Sequence, residues 1–146
     1  MRNTPTGIKL SPLLIAAVML LPCTSIANET ASTRFDGKWN TALNCTPFQD
    51  AQGFTWHFVS EVKNGHLVGH FGTEGQPASI RVEGQLADDG TGTLHATGRT
   101  GMPQYVTGNP QRGSNIVYDI RAEFHEDHGK GTRLEGRPCT YEFERQ

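Results

Sequence analysis

The residues able to do chemistry in this chain are six histidines, three cysteines and the Gly/Pro-rich segment 100–114. Histidines would hold Zn²⁺ or Cu²⁺ if several converged on one point. His66 and His70 are four residues apart. On a strand they share a face but sit roughly 13 Å apart along it, too far for one ion. His57 comes closer to His70 across a hairpin in which His70 would pair with Val59. His125 and His128 flank Glu126-Asp127, the best place for an incidental Zn²⁺ or Cu²⁺ contact. All these positions are outward or in loops, where a solvated imidazole is the simpler expectation, so no metal site is assigned. No Gly-x-Ser-x-Gly elbow, Cys-x-x-Cys pair, phosphate loop or dinucleotide fingerprint is present. Asp88-Asp89 falls in a turn, where Asp serves the backbone. No catalytic residue and no cofactor is assigned, and nothing in the residues argues for an enzyme.

The segment Thr100–Ser114, TGMPQYVTGNPQRGS, is more informative. Connections of this length are uncommon in compact domains and are often functional. Met102, Tyr105 and Arg112 stand among its glycines and prolines, and these side-chain types are enriched where proteins meet partners. We expect a partner-facing loop with these three as binding residues. The plainer alternative has Tyr105 folded back over the end of the domain. The loops 46–53 and 72–77 would join it if they lie at the same end.

The elements that must position this loop are strands. The chain has 146 residues, enough for one domain. A formal net charge of -2 argues against a nucleic-acid binder, which needs cations to displace phosphate counterions. Arg2 and Lys9 precede an apolar run, Leu13–Leu21, then Pro22 and the small residues of Ser25-Ile26-Ala27. That is the pattern of a secretory signal, too short to span a bilayer, and it predicts cleavage after Ala27. A lipid on Cys23 is the weaker alternative, because Pro22 fits that motif poorly. Loss of Arg2 and Lys9 from 13 basic residues leaves 11 against 15 acidic ones, a net charge of -4. Residues 28–146 then form one exported domain, periplasmic or secreted, expected to be a monomer with no membrane span. Asn28-Glu29-Thr30 is a glycosylation sequon at its start.

Alternation of apolar and polar residues predicts about eight antiparallel strands and no sustained helix. Phe54, Trp56, Phe58, Ser60 and Val62 share one face, and Asn64-Gly65 supplies a two-residue hairpin turn. That turn pairs Val62 with Leu67 and Phe58 with Phe71. Further strands are expected over 38–45, 79–86, 93–99 and 115–125, around Leu134, and over 139–145. Only Cys45 and Cys139 remain in the mature chain, and an even pair in an exported protein reads as a disulfide. If the two sit opposite each other, Leu43 faces Tyr141, Thr41 faces Phe143 and Trp39 faces Arg145. The first strand then pairs with the last, which closes an up-and-down barrel; a β-sandwich is the runner-up.

Gly37-Lys38-Trp39 on the first strand, with Arg145 brought beside that indole from the last, resembles the calycin pattern shared by lipocalins and avidins. The resemblance implies an eight-stranded barrel in which Gly37, Trp39 and Arg145 are structural. It also extends to small exported bacterial proteins of unassigned function. No residue of an avidin biotin site maps onto this chain, so it implies architecture and no chemistry. Two functions follow from the architecture. One is a protein-binding or inhibitory module acting through the 100–114 loop. The other is a carrier of a small apolar ligand inside the barrel. Eight inward aromatics favour a filled interior and an outward site, while inward Gly69, Gly84 and Gly98 would leave space.

Overall fold

The computed structural model describes Gly7 and residues 32–146. The expected export signal, residues 1–27, lies outside the described residues apart from Gly7, as do its cleavage point, Cys23 and the sequon. Eight strands follow in order: β1 Gly37–Cys45, β2 Phe54–Lys63, β3 His66–Phe71, β4 Ser79–Gln85, β5 Thr91–Arg99, β6 Asn115–Phe124, β7 His128–Arg133 and β8 Cys139–Arg145. Each pairs antiparallel with the next, and β1 pairs with β8, so the meander closes into an up-and-down barrel with no free edge. The β-sandwich alternative is excluded.

The seam has the expected register. Cys45 faces Cys139, Leu43 faces Tyr141, Thr41 faces Phe143 and Trp39 faces Arg145. Cys45 and Cys139 are disulfide-bonded, 94 residues apart in sequence with Cα atoms 4.3 Å apart. At the β2–β3 hairpin, Asn64 and Gly65 both have positive φ, 51° and 71°, which the two-residue turn requires. Lys63 pairs with His66 and Val62 with Leu67, but the ladder stops at Ser60–Gly69. The expected Phe58–Phe71 and Val59–His70 pairings are therefore absent. A Cβ at Gly69 would lie 2.8 Å from the Phe58 ring. The Ser60 hydroxyl and the Phe58 ring occupy the space that the glycine leaves, and beyond it β2 and β3 part. Trp56 and Phe71 stack across the gap with ring centroids 4.4 Å apart.

The strand expected around Leu134 is instead His128–Arg133, and Leu134 lies outside it, exposed. The segment HGKGTR has no apolar residue to signal a strand. Its inward positions are Gly129 and Gly131, because larger neighbours fill their places. A Cβ at Gly129 would lie 3.0 Å from the Phe124 ring, and one at Gly131 would lie 2.9 Å from Ile120 Cγ2.

The two ends of the barrel differ. Phe35, Trp39, Phe124 and Phe143 pack at the end that carries the β2–β3, β4–β5 and β6–β7 turns. The Trp39 indole N–H donates to the Phe35 carbonyl at 3.0 Å. The Arg145 guanidinium lies over the indole at 4.7 Å and donates to the carbonyls of Glu126, Asp36 and Arg34. This end is sealed. Inward residues toward the other end, Phe54, Trp56, Phe58, Phe71 and Ile116, are only partly buried. The expected filled interior is thus found in one half of the barrel.

Candidate functional site

Strand direction places the loops 46–53, 72–78, 100–114 and 134–138 together at the unsealed end. The long loop 100–114 begins and ends on itself. Thr100 N–H donates to the Ser114 carbonyl and Gly113 N–H to the Thr100 carbonyl, both at 2.9 Å. The Thr100 hydroxyl adds a bond to the Gln111 carbonyl at 3.1 Å. Pro103–Tyr105 makes one 3-10 turn. Two bonds then hold the loop against 46–53: Gln52 N–H donates to the Gln104 carbonyl at 2.8 Å, and Gly108 N–H to the Asp50 carboxylate at 3.0 Å. The loop is a fixed wall rather than a projecting arm.

Behind that wall a cavity of about 910 Å³ runs into the barrel. That falls in the range of small-molecule sites, about 300–1,000 Å³. Its deeper surface is apolar: Leu43, Phe54, Trp56, Ile80, Ile116 and the ring of Tyr118. Phe48, Met102, Tyr105, Val106 and Pro110 form the rim. Two of the three expected loop residues, Met102 and Tyr105, are therefore brought together here. Both are exposed on their outer side, Met102 by 53% and Tyr105 by 36%. Arg112 is exposed and does not line the cavity. Cys45 lines it, so the disulfide borders the mouth. Gly37, Trp39 and Arg145 belong to the opposite, sealed end.

Three polar residues in the cavity wall carry its chemistry; the two arginines were not singled out from the sequence, and Tyr118 was expected only as one of the inward aromatics. Arg137, 6% exposed, spends its guanidinium on backbone carbonyls. Nε donates to Thr46, one terminal nitrogen to Tyr105, and the other to Cys45, Thr46 and Gln52. It also lies 5.2 Å over the Phe54 ring. One side chain thus ties the β1–β2 loop and the long loop to the β7–β8 turn. Burial, with a smaller push from the neighbouring Arg133 charge, draws its pKa below the usual guanidinium value. The second residue is Arg133, at the inward position opposite Ile120. Its guanidinium stacks on the Tyr118 ring at 4.0 Å, and its Nε donates to the Glu135 carbonyl at 2.6 Å. The third is Tyr118 itself, whose hydroxyl is 2.7 Å from that of Tyr141. Burial raises the pKa of both phenols, so both are neutral at physiological pH.

Compared with protein-family models, curated proteins and solved structures, the chain finds no match in any of the three.

The histidines stay apart from the cavity. His95 Nδ1 is 2.7 Å from Asp119, His128 Nδ1 is 2.7 Å from Asp127, and the His125 and His128 rings stack 4.7 Å apart. Contrary to expectation, His128 opens a strand instead of ending a loop. Among the described residues no three His, Cys, Asp or Glu side chains gather where one ion would sit. Among the same residues no helix is long and apolar enough to cross a membrane.

Proposed function

We propose that this protein is a small exported binding module that holds a small, largely apolar molecule in the open half of its barrel. The observation that carries this reading is the cavity of about 910 Å³, apolar in its depth and walled by the 100–114 loop. The loop serves the cavity: Met102 and Tyr105 shape its rim, and Arg137 holds the Tyr105 carbonyl. Export is supported by the Cys45–Cys139 disulfide, a bond that persists in oxidising compartments. Mass spectrometry of the native protein should find a chain starting at Asn28.

The test is binding of the neutral fluorophore N-phenyl-1-naphthylamine to the oxidised mature protein. Saturable one-to-one fluorescence enhancement is expected. Ile116→Trp, which fills the cavity from its wall, should abolish it while leaving the disulfide and the circular dichroism intact. Absence of enhancement in the unaltered protein would reject the reading. Native mass spectrometry of protein taken from its own compartment would then identify what the cavity retains.

A protein partner at the loop is the second reading, favoured by the outward exposure of Met102, Tyr105 and Arg112 in the one loop. It predicts that Tyr105→Ala or Arg112→Ala weakens a captured partner by about 2 kcal/mol or more. Unchanged binding of that partner in both variants would remove it.

A further inference from the structure

We infer that the cavity selects amphiphiles whose head group is a carboxylate, and that Arg133 is the residue that receives it. This rests on the cavity-binding reading above and adds the class of ligand. The first observation is the charge of the lining. It contains two guanidiniums, Arg133 and Arg137, and no Asp or Glu. Ion pairs form elsewhere on the barrel, between Arg81 and Glu83 and between Arg34 and Glu126, yet none among the described residues includes either cavity arginine. Asp50, at the rim, turns its carboxylate to the Gly108 amide.

The second observation separates the two arginines. Arg137 is consumed by four backbone carbonyls, so its role is to build the mouth. Arg133 uses only Nε, on the Glu135 carbonyl. Its two terminal nitrogens make no hydrogen bond among the described residues, although the side chain is half-buried at an inward position of the wall. A guanidinium offers its N–H groups in a planar fork that matches the two oxygens of a carboxylate. The Tyr118 ring, 4.0 Å from the guanidinium carbon, and the Glu135 bond restrain where that fork sits. An apolar tail would lie along Leu43, Trp56, Ile80 and Ile116. A ligand that covers this half-buried guanidinium strips water from it, which is costly without a counter-charge, and a bound carboxylate supplies that charge.

The experiment displaces N-phenyl-1-naphthylamine from the oxidised mature protein at neutral pH. The competitors are dodecanoate, 1-dodecanol and dodecylammonium, each below its micelle concentration. Dodecanoate should bind about tenfold more tightly than the alcohol, with the ammonium weakest. Arg133→Gln should bring acid and alcohol to the same affinity, each measured against the fluorophore affinity of that variant. Arg133→Lys, which keeps the charge without the fork, should retain part of the preference. Equal affinity for acid and alcohol in the unaltered protein would overturn the inference and leave the cavity reading standing. A preference that survives in Arg133→Gln would overturn the assignment to Arg133. Failure of the fluorophore itself to bind would overturn both.

Discussion

Two arginines do matching work at opposite ends of this barrel. Arg145 donates to three carbonyls over the Trp39 indole, and Arg137 donates to four at the mouth. Each gathers loops that share no ladder. If Arg137 is replaced by Met, the carbonyls of Cys45, Thr46, Gln52 and Tyr105 lose a donor together. Leaving a buried acceptor unmade costs about 1–3 kcal/mol; the Cys45 bond is buried and the others part-buried, so a total loss of about 3 kcal/mol is expected in urea unfolding. Arg137→Lys should recover little, since one ammonium cannot reach this spread of acceptors. A change under about 0.5 kcal/mol would show that the loops hold themselves. Arg145 was legible in the sequence because its pairing with Trp39 follows from the register. Arg137 was legible only at one remove. Once Cys45 and Cys139 are opposed, continuing the register carries the residue two before Cys139 toward Pro47 in the β1–β2 loop. Arg133 left no such trace, because a lone Arg near a Gly-rich stretch is ordinary surface composition.

At the scale of elements, strands with alternating apolar residues were readable and β7 was not. In β1, β2 and β6 the inward side chains are apolar apart from the buried Thr41 and Ser60, so the period shows. In β7 the core is filled from outside the strand, by Phe124, Ile120 and Tyr141 leaning over Gly129 and Gly131. The signal of burial then sits in the neighbours. This reading predicts that Gly131→Ala destabilises by about 1–3 kcal/mol, the usual cost of overpacking. The added methyl would lie 2.9 Å from Ile120 Cγ2 and 3.1 Å from Tyr141 Cβ, inside a wall that cannot shift far. Thr132→Ala, one residue on and facing solvent, should stay within about 0.5 kcal/mol. Thermal melts of the two variants side by side would decide it. Equal melting would mean that β7 is not held between β6 and β8 as described.

For the whole molecule, the division into a sealed half and an open half sets where titration can act. The Tyr118–Tyr141 pair joins β6 to β8 inside the barrel, with the Arg133 guanidinium on its cavity side. For Tyr118, burial raises the pKa, and the Tyr141 hydrogen bond and the Arg133 charge partly offset it. For Tyr141, burial again dominates, and the Tyr118 neighbour pushes the same way. An unfolded tyrosine ionises near about pH 10. A folded-state value above that means the unfolded chain releases protons that the native chain keeps. The contribution of the pair is therefore fully present below about pH 10 and is lost as pH rises beyond it. Two of the three tyrosines should yield phenolate absorbance only together with loss of near-ultraviolet circular dichroism. The Tyr118→Phe, Tyr141→Phe double variant should lose stability less steeply above about pH 10, because neither phenylalanine can ionise in the unfolded chain. Phenolate absorbance from all three tyrosines with the dichroism intact would show that water reaches the pair, and the floor of the cavity would then be wet rather than closed.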